Sequence, residues 1–242
     1  MIGWYCPLSR RSRGIRRFRG RDAWPESCGT WPYGRSRRPG PLCHPGAVIA
    51  PFPETPAAAA ALAVATRFCS PALLNHSIRS YLWGAGYARA HGIAFDDELY
   101  YVSALLHDVG LTETFDSHRV PFEEAGGRLA WVFGTAAGWP PERAARAETI
   151  IVVHMRDDVG AADDPESHLL QAATSWDVSG RRPEEFPEDA RAAVLARYPR
   201  LGFGAEFLAA FEDQARRKPG CAADLSVAGG IGARIAANPL GA

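Results

Sequence analysis

From Ala57 onward the spacing of apolar positions follows a helical period, broken by clusters of Pro, Gly and Asp. Ala57–Cys69 is rich in alanine and high in helix propensity. Ser70-Pro71 then supplies an N-cap and a proline at the first helical position, opening a helix that runs to Gly92. Asp96 or Asp97 caps the next helix, which ends at Gly110, placed as a C-cap glycine. Further helices are expected over 122–136, 141–156, 166–178, 188–198 and 204–217. No run of β-branched residues alternates with polar ones over a strand length, so a sheet has little support. The expected fold class is all-α: one helical bundle over residues 51–242, without an internal repeat.

Residues 1–50 follow neither period. They are rich in Arg, Gly, Pro, Trp and Ser and are expected to form a disordered or irregular extension, of the kind a start codon set too far upstream would add. Arg10-Arg11 and Arg16-Arg17 are pairs of the sort found in twin-arginine export signals, but no apolar region of about 7–15 residues follows them.

Composition changes this picture little. A chain of 242 residues, 47% hydrophobic and 22% charged, suits one soluble domain with a single core. No stretch approaches the roughly 18 uninterrupted apolar residues that span a bilayer. The formal charge of zero hides an asymmetry: residues 1–40 hold ten arginines against Asp22 and Glu26, a net of +8, which leaves −8 on the remainder. An acidic body argues against a broad nucleic-acid surface. Five cysteines (Cys6, Cys28, Cys43, Cys69 and Cys221) form an odd set without CxxC spacing, as reduced thiols of a cytoplasmic protein would. A small-molecule substrate is expected, with neither nucleic acid nor membrane as partner; a homo-oligomer is compatible with the sequence.

The chemistry lies in four residues. His107-Asp108 closes the apolar run that begins at Tyr100, His76 sits one helix upstream and Asp177 downstream. Ionisable groups among Leu, Val and Trp are costly unless paired or ligated. Alone, a His-Asp dipeptide or a single core histidine is ordinary. The order His, His-Asp, Asp on successive helices is a much rarer accident, and inward-pointing groups on several helices are how bundles build metal sites. Two imidazoles and two carboxylates without a thiolate suit zinc, iron or manganese, with two negative charges to balance a divalent ion. His107 and Asp108, in the last turn of their helix, would share the end whose dipole favours a cation.

The segments His76-Ser77-Ile78-Arg79-Ser80-Tyr81, Leu106-His107-Asp108-Val109-Gly110-Leu111 and Phe122-Glu123-Glu124-Ala125-Gly126, followed by Asp177, resemble the HD-domain metal-dependent hydrolase superfamily. Within it the chain is most similar to the cyanamide hydratase-like branch, over about residues 55–240. The resemblance implies a helical HD domain whose single divalent metal, usually zinc (Zn2+, with Fe2+ or Mn2+ as alternatives), is held by His76, His107, Asp108 and Asp177. It also implies an enzyme adding water to cyanamide or a related C–N substrate. Phosphohydrolases of the wider superfamily often carry Lys or Glu just after His-Asp, where this chain has Val109-Gly110.

A metal so held lowers the pKa of bound water towards 7 and polarises an electrophile. Asp108, Asp177 or His154 would then relay protons, His154 lying beyond Ala147, Ile150 and Ile151 on its helix. Arg79 could anchor Asp108 or an anionic substrate group, or make a surface ion pair. Glu123 could cap a helix or bond a ligand histidine. His168 is nine residues before Asp177, about 180° around their helix, and should face away from the site. His118 lies in a loop close to His107, which favours one metal over two. Asp157-Asp158 are read as solvated. Trp83, Tyr87, Trp131, Phe133 and Trp176 are expected in the core, and an apolar wall with few donors would suit a small neutral substrate. Two alternatives stay open: an HD-type phosphohydrolase acting on a nucleotide or other phosphate ester, which predicts several basic pocket residues, and a non-catalytic ligand-binding module.

Overall fold

The structure, a computed structural model, describes residues 50–156, 159–182, 185 and 188–241. The expected extension lies outside the described residues except for Ala50, as do Cys6, Cys28, Cys43, His44 and the pair Asp157-Asp158. The described residues form ten α-helices and no strand, so the protein is all-α. They are α1 (Pro56–Phe68), α2 (Pro71–His91), α3 (Asp97–Leu106), α4 (Phe122–Ala136), α5 (Pro141–Val153), α6 (Pro165–Ser179), α7 (Glu188–Arg197), α8 (Phe203–Arg217), α9 (Ala222–Ala228) and α10 (Ile231–Ala236). None is long and apolar enough to cross a membrane.

Local signals set most boundaries. Ser70 Oγ accepts from the Leu73 amide at 3.1 Å, with Pro71 behind it, and Gly92 ends α2 at φ +66°. Asp96, rather than Asp97, caps α3 by accepting from the Leu99 amide at 3.0 Å. Three expectations need correction. Helix α3 stops at Leu106, and a short 3-10 turn, Val109–Leu111, follows, so Gly110 lies inside that turn instead of capping a helix. Helix α5 stops at Val153, which leaves His154 at its C-cap. The two short helices α9 and α10 were not anticipated; each spans under two turns and glycines flank both, so no periodic signal could accumulate.

Gly110 has a tertiary reason. A Cβ there would lie 2.1 Å from the Phe122 carbonyl oxygen, and one on Gly126 would lie 2.9 Å from that of His107. The two glycines let the first turns of α4 press directly onto the His107-Asp108 turn.

Two apolar clusters frame the bundle. The larger joins α1 to α6 through residues such as Tyr81, Leu105, Ile150, Leu170 and Trp176. The smaller gathers Leu73, Phe122 and Val178 against Phe203, Phe207 and Phe211 of α8. Of the aromatics expected inside, Trp83 and Trp176 are buried and Tyr87 and Phe133 half-buried, but Trp131 is 41% exposed. His76, His107 and Asp108 lie fully buried between helices of both clusters.

Candidate metal centre

Three imidazoles meet here, each with its tautomer set by what its Nδ1 touches. Nδ1 of His107 lies 2.7 Å from the Ala104 carbonyl, and that of His154 bonds the Ile151 carbonyl. Carbonyls only accept, so both Nδ1 atoms carry the proton and both Nε2 atoms keep a lone pair. Nδ1 of His76 donates to Asp177 Oδ2 at 2.7 Å, with the same consequence. The bare Nε2 atoms of His76 and His107 then face each other at 3.2 Å.

Asp108 completes this cluster. Its Oδ2 lies 3.1 Å from His107 Nε2 and 3.4 Å from His76 Nε2, and neither of its oxygens receives a hydrogen bond. Three buried acceptors in mutual contact repel one another unless positive charge sits between them. The titration tendencies agree. Burial disfavours protonated His76, but the nearby Asp108 carboxylate and the bond to Asp177 outweigh it and its pKa is raised. Burial should raise Asp108 too, yet the positive charge that the adjacent His107 and His76 can carry holds its carboxyl well below the usual range. Ligand atoms of His76, His107 and Asp108 all lie within 4.8 Å of one another. Two imidazole nitrogens and a carboxylate, unsatisfied without a cation, fit a divalent ion.

Asp177 stands on the opposite edge of the His76 ring and is saturated. Arg79 donates from Nε to Oδ1 and from NH2 to Oδ2, both at 2.8 Å, and Trp83 Nε1 donates to Oδ1 at 3.0 Å. Its backbone carbonyl accepts from Arg200 at 2.6 Å and from Asn238 at 2.9 Å. Burial opposes ionisation, but Arg79 holds the Asp177 carboxyl well below the ordinary range. Arg79 is therefore neither a surface ion pair nor a partner of Asp108: it is wholly buried and its remaining NH1 donates to the Tyr198 and Pro199 carbonyls. Phe203 stacks on His76 at 4.2 Å, fixing the ring from its face. Arg200, Asn238 and Phe203 carried no motif or spacing that could have marked them.

The other candidates separate cleanly. His154 lies with its ring 5.0 Å from that of His107, and burial, helped by His107, lowers its pKa to about 4. It lines the same cavity as His76, His107 and Asp108. Glu123 is buried in the first turn of α4, where Pro121 is the N-cap, so it does not cap the helix. Its Oε2 has no partner, burial raises its pKa, and it is absent from the cavity wall. His168 bonds the Val159 carbonyl at 2.7 Å and His118 is exposed; neither lines the cavity.

The cavity has a volume of about 420 Å³. Its wall is not the apolar one expected. Phe207, Phe211 and Leu225 share it with Gln171, Thr174, Ser175 and Ser179, and three arginines line it as well.

Residues 73–191 match the HD domain family model. Two relatives from Saccharomyces cerevisiae, cyanamide hydratase DDI2 and cyanamide hydratase DDI3, are each 29% identical to this chain over 182 residues, 73% of this chain and 80% of the relative. The HD match takes in His76, His107, Asp108, His154 and Asp177 and ends before α8, whose phenylalanines close the cavity.

Proposed function

Because the chain carries an HD domain over residues 73–191, the domain of a metal-dependent hydratase or hydrolase, we propose that it adds water to the nitrile carbon of cyanamide or a related C–N substrate. The observation that carries this reading is the Asp108 carboxylate, buried with both oxygens unpartnered beside two imidazole lone pairs. His76 Nε2, His107 Nε2 and Asp108 would hold one divalent ion, zinc being the favoured metal, with Fe2+ or Mn2+ as alternatives. Asp177, expected as a fourth ligand, would instead act from behind, fixing the His76 ring through Nδ1 as a carboxylate behind a ligating histidine does. When bound, the ion supplies Lewis acidity, which acidifies water and polarises the nitrile carbon.

The protein's own groups do the rest. His154 is neutral above a pH of about 4, and its proton is fixed on Nδ1, so Nε2 can take a proton as water oxygen bonds to carbon. Returning that proton to nitrogen completes addition across the C–N triple bond, and tautomerisation, which moves the second water proton from oxygen to nitrogen, gives urea from cyanamide. Phe207 and Phe211 narrow the water space around the reacting carbon. Glu123, buried in the first turn of α4 with Oε2 unpartnered and close enough for Asp108 to raise its pKa, would act on the site from outside the cavity. The enzyme would work in the cytoplasm on a small molecule.

Metal analysis and a substrate panel test the reading. The expected result is one divalent ion per chain and urea release from cyanamide, with nucleotides and phosphomonoesters left intact. Phosphate release without urea would transfer the protein to the phosphohydrolase alternative.

A further inference from the structure

Cyanamide has three heavy atoms and no charge, and the cavity is far larger and carries positive charge. About 420 Å³ falls in the range of sites that enclose multi-atom ligands. Arg156 reaches it from the turn after α5, Arg181 from the residue after the Gly180 C-cap of α6, and Arg234 from α10. Three separate elements thus bring an arginine to the cavity lining, and Arg234 also donates to the Gly229 carbonyl at 2.7 Å. Neither Arg156 nor Arg234 enters an ion pair among the described residues. Asp108, at the metal centre, is the only acidic residue lining the cavity among the described ones. Guanidinium groups favour carboxylate and phosphate oxygens, which they bind through paired donors.

The geometry points to a substrate built as a C–N reacting group with an anionic arm, carboxylate or phosphate, the arm held by Arg156, Arg181 and Arg234. This rests on the hydration reading for the reacting end only. For a carboxylate arm the simplest member is N-cyanoglycine. Water oxygen bonds to its nitrile carbon with loss of one π bond of the triple bond, and tautomerisation exchanges the second C–N π bond for the C=O π bond, so that both water protons finish on nitrogen, directly or through solvent. The product is N-carbamoylglycine, with nothing released.

The test compares N-cyanoglycine, a phosphonate analogue with the same N-cyano group, and cyanamide on the metal-loaded full chain. Product formation is paired with calorimetric binding. The arm should raise kcat/KM at least about tenfold over cyanamide, and added salt should erode that advantage. Replacing all three arginines (R156Q, R181Q and R234Q together) should cut the advantage about tenfold through KM, weaken calorimetric Kd by a similar factor, and leave metal content intact. The three single variants cover the case in which the triple one does not fold. An advantage of equal size in variant and wild type overturns the proposal while leaving hydration standing. Arginine-dependent binding without product overturns hydration and supports the anionic site. Whichever of the carboxylate and phosphonate arms gains more identifies the anion.

Discussion

Asp108 and Asp177 are equally buried and both stay ionised, yet their surroundings are opposite. Asp108 faces two imidazole lone pairs and neither of its oxygens receives a hydrogen bond. Asp177 receives donors from Arg79, Trp83 and His76, with Arg200 and Asn238 on its carbonyl. One carboxylate has been left with binding capacity. The other is filled, and its capacity has gone into the structure that holds the first in place. A cation is what the first lacks and what the second cannot accept without giving up bonds.

The largest effect should come from the side that binds. His107→Ala removes one of the facing lone pairs and should abolish stoichiometric metal, lowering urea formation at least about a thousandfold; elemental analysis and a urea assay read both.

Stability separates the two carboxylates next. Asp177→Asn strands the buried Arg79 charge and should cost about 3–5 kcal/mol in thermal or urea unfolding of the metal-free protein. Asp108→Asn should cost the metal-free protein less than that, because no hydrogen bond to its carboxylate is lost, while abolishing metal binding. Equal losses in the two variants would end the contrast. A smaller effect is expected from Gly110→Ala, whose methyl meets the Phe122 carbonyl: about 1–3 kcal/mol, with weaker metal binding as the His-Asp turn shifts.

Acid should probe a third carboxylate, remote from the centre. Asp116 is partly buried, which works to raise its pKa, but bonds from Gln214 and Lys218 and the charges of Lys218 and Arg217 leave it lowered. Its contribution is present in full above the unfolded value near 3.9 and is lost as pH falls through the folded one. The melting-temperature gap between wild type and Asp116→Asn should therefore be widest near neutrality and shrink below pH 4. Least of all, His168→Ala should leave metal content unchanged, since its ring bonds the Val159 carbonyl and does not line the cavity. Metal loss there would mean that the helix face was misread.

What the sequence disclosed follows the reach of its signals. Ser70, Gly92 and Asp96 act on backbone within four residues and could be read directly. His76 and the His107-Asp108 pair were legible because few side chains tolerate burial in such a run without a purpose. Sequence alone leaves Arg79 to Asp108, an anionic substrate group or the surface, while its partner Asp177 lies 98 residues away, beyond any local rule. Gly110 had the spacing of a helix cap, while its real constraint is the α4 backbone pressed against it. The cavity's polarity stayed hidden because helix ends and the short α9 and α10 supply much of it.

The central claim is that His76, His107 and Asp108 hold a divalent ion, and a crystal structure of the metal-loaded protein with anomalous scattering measured at the metal's absorption edge tests it most directly. The account predicts one anomalous peak about 2.0–2.2 Å from His76 Nε2, His107 Nε2 and an Asp108 oxygen. A peak elsewhere, or none in protein that releases urea from cyanamide, would contradict it.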